Sequence, residues 1–220
     1  MLYIVGDNMK VDIENTKHIV DFCKNTMIVA TTKYVDTDQL YVLEENGIKV
    51  FGENRVQDFL KKYDEYKGKC KWHFIGTLQS NKVKYVVDKV DLIHSVNTYK
   101  LIDEINKQAK KIDKVMNILI EVNIASEETK QGFDKDDMVD VINYSKSKSN
   151  INVLGLMMMA PNIDKEETRK YFKETKELLE KLNATCDMNM TELSMGMSND
   201  FEIAIEEGAT IVRIGRSLFK

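Results

Sequence analysis

Lys33 is the first residue whose type and place could do chemistry. It follows an apolar run that ends at Thr31 and precedes a helical pattern that opens near Asp36. Desolvation at a strand end lowers a lysine pKa and frees the amine as a nucleophile. From position alone an ordinary solvent-facing lysine is the safer reading, in a chain rich in them. The segment Gly52-Glu53-Asn54-Arg55 follows the next apolar run. Gly52 there permits an unusual backbone, and Asn54 either caps the following helix or faces a ligand. In Trp72-His73-Phe74-Ile75, strand alternation puts His73 and Ile75 on one face and Trp72 and Phe74 on the other. A lone strand histidine is more often a hydrogen-bonded core residue than a catalyst. Packing alone does not explain the polar stretch from Thr77 to Lys82.

Two late segments point to an anion. Ser194-Met195-Gly196-Met197-Ser198-Asn199-Asp200 precedes a helical pattern that starts at Phe201. Gly196 allows close backbone approach, Ser198 or Asn199 can cap the helix, and its free N–H groups suit a phosphate. Val212-Arg213-Ile214-Gly215-Arg216-Ser217 adds two guanidinium groups and a glycine. Together they favour a phosphate-bearing ligand over two plain turns. The Met157-Met158-Met159 run reads as core, although Met157 ends a strand and could pack on a flat ligand. No P-loop, HExxH or GxSxG motif is present, and no metal site is expected.

The elements that must position these residues alternate. Strands are expected at 27–31, 48–51, 72–75, 92–95, 115–122, 153–157, 192–194 and 210–214, with helices at 36–46, 54–63, 81–87, 98–111, 135–146, 165–182 and 201–207. The eighth helix is only a start, and an extra helix near 12–24 precedes the first strand. Such alternation predicts an α/β fold of right-handed βαβ units. Eight units predict a (β/α)8 TIM-like barrel, with an open doubly wound sheet as the alternative. In such a barrel, loops at the carboxyl ends of strands carry function, and those after strands seven and eight often hold phosphate.

Composition narrows the class. The chain has 220 residues, a net charge of −4 and one proline, Pro161. No linker or low-complexity tract interrupts it, so one domain over residues 1–220 is expected. Acids interleave with bases along the helices, which argues against a nucleic-acid partner. No apolar run approaches the ~20 residues that span a bilayer. Residues 1–7 have no basic stretch followed by an apolar one, so no signal peptide is expected. Three widely spaced cysteines fit a reduced, cytoplasmic setting. The outer helices carry no broad apolar stripe, so a monomer is expected.

Lys33, Phe51-Gly52-Glu53-Asn54, Trp72-His73-Phe74-Ile75-Gly76, Leu78-Gln79-Ser80-Asn81-Lys82, Ile93-His94-Ser95-Val96, Glu121-Val122-Asn123-Ile124, Gly155-Leu156-Met157, Ser194-Met195-Gly196-Met197-Ser198 and Val212-Arg213-Ile214-Gly215 occur in one order. That series resembles the YggS/PROSC family of pyridoxal phosphate homeostasis proteins, over about residues 29–219. The resemblance implies a barrel of the alanine racemase N-terminal-domain type and one pyridoxal 5′-phosphate held as a Schiff base on Lys33. It implies phosphate binding by Ser198, the N–H groups around Met197 and Ser198, Gly215 and Arg216. It sets Arg213 at the pyridine nitrogen, with Asn54, His73 and Met157 as further contacts. The chain departs from the family pattern at Tyr34, at Thr77 and at Arg216, which stands in place of a hydroxyl.

The implied role is handling the vitamin B6 pool, buffering or supplying the cofactor to pyridoxal phosphate-dependent apo-enzymes, without an established turnover reaction. The alternative is a racemase-like enzyme. Racemisation needs acid–base groups on both faces of the ring, and five residues after Gly215 leave no room for a second domain to supply one. A Schiff-base aldolase without cofactor is a third reading, and it leaves the Ser198 and Gly215 segments unexplained.

Overall fold

A computed structural model describes residues 9–33, 35–125 and 131–220. Residues 1–7 and Tyr34, on which expectations were placed, lie outside them. Strands β1 (Met27–Thr31), β2 (Val50–Glu53), β3 (Lys71–Phe74), β4 (Leu92–Val96), β5 (Met116–Asn123), β6 (Phe133–Asp134), β7 (Ile151–Met157), β8 (Glu192–Met197) and β9 (Ile211–Ile214) are all parallel. The order β4-β3-β2-β1-β9-β8-β7-β5 closes on itself through β4–β5. The fold is therefore a closed eight-stranded barrel, and the open sheet is excluded. The two-residue β6 is a ninth strand that the sequence pattern did not announce; it sits beside the end of β5.

Helices α1 (Ile13–Phe22), α2 (Thr37–Glu45), α3 (Val56–Glu65), α4 (Tyr99–Lys111), α5 (Met138–Lys146), α6 (Arg169–Cys186) and α7 (Phe201–Glu206) lie close to their expected positions. The extra helix α1 is present, with Asp12 accepting from the Asn15 N–H at 3.2 Å as its N-cap. Thr98 caps α4 in the same way, and Leu101, Ile102, Ile105 and Ala109 give that helix its buried face. The expected helix at 81–87 is a 3₁₀ segment, Ser80–Tyr85. The eighth helical start is likewise a 3₁₀ turn, Arg216–Leu218. No described helix is long and apolar enough to cross a membrane.

Alternation divides each strand between two cores. Ala30, Phe51, Trp72, Phe74, Ile93, Ile118 and Val212 face outward to the helices. Phe51, Phe59, Tyr66 and Trp72 meet edge to face at 5.2–6.0 Å and join β2 and β3 to α3. Val29, Val50, Leu92, Leu119, Met157 and Ile211 fill the lower barrel interior. Gly52 has an ordinary strand backbone, contrary to the expectation of an unusual one. What it needs is the missing side chain: a Cβ there would lie 2.6 Å from Val29 Cγ1 and 2.9 Å from Ile75 Cδ1.

Above that apolar layer the interior is polar. Arg213 Nη1 donates to Ser194 Oγ at 2.7 Å, Ser194 Oγ meets His94 Nδ1 at 2.9 Å, and His94 Nε2 meets His73 Nδ1 at 2.9 Å. Arginine has only donors, so Ser194 Oγ accepts from Arg213, and His94 links Ser194 to His73 through its two ring nitrogens. Burial and neighbouring positive charge keep both rings neutral: His73 is pushed down to about 3 and His94 well below the ordinary histidine range.

This chain makes stability sensitive to acid. Below about pH 6.5 the unfolded chain protonates these rings and the folded chain does not, so stability falls on acidification. For His73 the window runs from about pH 6.5 down to its folded value of about 3. Burial raises the Glu121 and Asp200 carboxyls, which act in the opposite sense. A His73→Asn comparison isolates the histidine. Urea unfolding at pH 7.0 and 5.5 should show the wild type losing about 1.2 kcal/mol more over that interval than the variant. Equal losses would mean that His73 takes up a proton in the folded state.

Candidate functional site

Closure sets the carboxyl ends of the strands around one cavity of about 430 Å³. Thr31 and Lys33 come to it from β1, Asn54 from β2 and Ile75 from β3. The turn after β8 supplies Met197, Ser198, Asn199 and Asp200, and β9 supplies Arg213, Gly215 and Arg216. The terminal segments close one side. Val11 bridges Phe219 antiparallel, and Met9 and Phe219 both reach the cavity wall.

Lys33 is exposed and lines the cavity. Asn54 does not cap α3, whose N-cap position is Arg55. Its Oδ1 is buried without a hydrogen-bond partner among the described residues. Gly76 lets the next loop cross it closely, since a Cβ on Gly76 would lie 2.3 Å from the Asn54 carbonyl oxygen.

The turn after β8 is built differently from a capped helix start. Gly196 has φ 88°, and a Cβ there would lie 2.5 Å from Ala204 Cβ, so only glycine lets α7 pack so near. Asp200 occupies the N-cap position, but its carboxylate turns back to the Met197 N–H at 2.7 Å. Burial pushes the Asp200 carboxyl above the ordinary range, against that bond and the field of Arg213. Ser198 and Asn199 therefore do not cap α7, and the Met197 N–H is already used. Ser198 Oγ instead accepts from the Gly215 and Ser217 N–H groups at 3.2 and 3.4 Å. Arg216 Nη2 reaches Asn199 Oδ1 at 3.3 Å. Ser198, Gly215 and Arg216 thus share the cavity edge, and the Ser217 N–H is bonded to the same hydroxyl.

Arg213 is 5% exposed. Besides Ser194 Oγ it donates to the Ser194 carbonyl at 2.7 Å, to the Met158 carbonyl at 2.9 Å and to Met159 Sδ at 3.1 Å. Desolvation lowers its pKa to about 10, with Glu121 and Asp200 opposing the shift, so it remains a cation at neutral pH.

Two of the expected contacts do not line the cavity. His73 is buried along the barrel axis against His94, and Met157 sits in the apolar interior layer. Met159 lines the cavity instead, together with Pro161 and Ile163. Met159 is the next residue on the Met157 face, one alternation step nearer the rim, where the cavity begins. Asp200, Thr31 and Ile75 were also missed, although the strand-end rule covers each of their positions.

The alanine racemase N-terminal domain family matches residues 13–220. The pyridoxal phosphate homeostasis protein of Aquifex aeolicus (strain VF5) is 47% identical over 194 residues, covering 87% of this chain and 85% of the relative. PipY of Synechococcus elongatus PCC7942 superposes with a TM-score of 0.89 at 29% identity, covering 94% of this chain and 99% of that one. The PipY structure with pyridoxal phosphate bound gives a TM-score of 0.85 at 27% identity, covering 94% and 100%. Barrel, cavity and sequence agree on one lineage: the chain belongs to the family of pyridoxal phosphate homeostasis proteins, built on the alanine racemase N-terminal domain.

Proposed function

We propose that the chain binds pyridoxal 5′-phosphate in the cavity, attached to Lys33, and serves to buffer or supply it. The observation that carries the reading is the meeting, around one cavity, of a strand-end lysine with a hydroxyl, backbone donors and guanidinium groups. The residues fit the group. The cavity falls within the ~300–1,000 Å³ usual for small-ligand sites, and the orphaned Asn54 Oδ1 calls for a polar partner.

When bound, the cofactor supplies an aldehyde that condenses with an amine, with loss of water, and a pyridine ring that draws electrons from what is attached. Lys33 contributes the amine. Ser198 Oγ, the N–H groups of Gly215 and Ser217 that meet it, and the Arg216 guanidinium would hold the phosphate. Arg213 has donors only, and its fixed charge disfavours a proton on a ring nitrogen facing it. That weakens the ring as an electron sink and suits holding over turnover. Met159, Pro161 and Ile163 exclude water from one side. His73 acts indirectly, by holding His94, Ser194 and thus Arg213 in place.

The proposed setting is a cytoplasmic monomer that passes the cofactor to dependent apo-enzymes. Racemisation of amino acids at ordinary enzyme rates would overturn the non-catalytic part of this reading.

The attachment is tested by mixing the full chain with pyridoxal 5′-phosphate, reducing with borohydride and mapping peptides. The label should fall on Lys33 and vanish in Lys33→Ala, together with the visible absorption band; a label that persists would remove Lys33 from its role. For the phosphate, Ser198→Ala should lower the preference for pyridoxal 5′-phosphate over pyridoxal by ~10-fold in equilibrium dialysis, the size expected for a bond to a charged group. An unchanged preference would take Ser198 out of the phosphate site.

A further inference from the structure

A buried ion pair stands directly behind Lys33. Lys62 Nζ, on α3, donates to Glu53 Oε1 at 2.6 Å and to the Thr32 carbonyl at 2.5 Å. Thr32 Oγ1 donates to the same Glu53 oxygen at 2.6 Å. Glu53 is fully buried, Lys62 is 7% exposed and Thr32 is fully buried. None of the three lines the cavity.

Stability does not account for such a cluster. Desolvating two charges offsets most of their attraction, and an apolar pair of similar volume often serves as well. Here Glu53 Oε2 is also left without a hydrogen-bond partner among the described residues, a further cost. The pair must be explained by what it holds. The carbonyl it grips belongs to the peptide unit that joins Thr32 to Lys33. That carbonyl also accepts from the Val35 N–H at 3.2 Å, and the Thr32 N–H donates to the Gly52 carbonyl at 3.2 Å. Two bonds thus hold the carbonyl of the peptide immediately before Lys33, and the Thr32 N–H and hydroxyl anchor the residue that carries it, where the chain leaves the barrel rim. With the plane fixed, the Lys33 Cα has one position, and the turn closed by the Val35 N–H restricts the backbone rotation that aims its side chain.

We propose that Lys62 and Glu53 are positioning residues for Lys33, holding the Thr32–Lys33 peptide so that the amine is delivered into the cavity. The proposal rests on the reading of Lys33 as the attachment site. Attack on a bound aldehyde needs the amine at about 3–3.5 Å, and a displacement of ~1 Å lowers such rates by ~10²-fold. The pair should therefore govern how fast the bond to Lys33 forms, while the phosphate contacts govern how tightly the ligand is held.

The test separates these two quantities. The full chain is mixed rapidly with pyridoxal 5′-phosphate, and the growth of the lysine-linked absorption band gives the attachment rate, with borohydride trapping to identify the residue. Pyridoxine 5′-phosphate, which has no aldehyde, reports non-covalent affinity. Glu53→Leu with Lys62→Met removes both charges and keeps the volume. That double variant should melt near the wild type and bind pyridoxine 5′-phosphate within ~3-fold of it, yet attach ~10–100-fold more slowly. Lys62→Arg keeps charge and donors and should recover part of the rate; it also serves if the double variant fails to fold. An attachment rate at the wild-type value in a folded double variant, or in Lys62→Arg a loss of rate matched by an equal loss of pyridoxine 5′-phosphate affinity, would overturn the proposal. Absence of label on Lys33 in the wild type would instead overturn the functional reading beneath it.

Discussion

The ladder between β4 and β5 is the interaction on which the rest of the molecule depends. Without it the eight long-range strands form an open parallel sheet with two unpaired edges. With it every barrel strand has two neighbours, and the sheet encloses a volume. The closure is not perfectly regular. Ile93 pairs with Ile118 and Val96 with Ile120, so the register shifts within a few residues. An enclosed volume must be filled, and all carboxyl ends must meet at one rim. The core, the polar axis and the cavity are three consequences of that one closure.

Filling proceeds in layers. The lower layer is apolar and tight, which is why Gly52 has no room for a side chain beside Val29 and Ile75. The upper layer receives Arg213, His73, His94 and Ser194 from four strands. A guanidinium there is tolerable only because its donors meet two carbonyls, a hydroxyl and a sulfur. Burial is the main reason that both histidines stay neutral, and the Arg213 charge adds to it for His94. The polar layer thus serves as a rigid floor, while the walls above it are loops.

Much of this was legible in the residues. Period-two runs between helical patterns predicted all eight barrel strands, and the strand-end rule pointed to Lys33, Asn54, Ser198, Arg213, Gly215 and Arg216, each of which lines the cavity. The errors share a cause. Ser80–Tyr85 has helical composition but tightens to 3₁₀ in the short path between β3 and β4. Asp200 takes the Met197 N–H, and Ser198 is drawn across to a turn 17 residues away. Met157 falls in the apolar layer and Met159, two residues further toward the rim, takes the cavity position, because the height of the layers is set by the neighbouring strands. Each outcome depends on a neighbour that is remote in sequence.

Sequence by itself determined the number and order of the barrel strands and the loops that could bear chemistry. These follow from local periodicity and from the identity of single side chains. Only the tertiary structure decided which donors meet which acceptors: that Ser198 serves the Gly215 turn, that His73 supports Arg213 through two intermediaries, and that Lys62 and Glu53 grip the peptide before Lys33. The physical reason is that a hydrogen bond requires a particular atom at about 3 Å in a particular direction. Barrel closure brings such atoms together across tens to a hundred residues of chain, and local pattern carries no information about them.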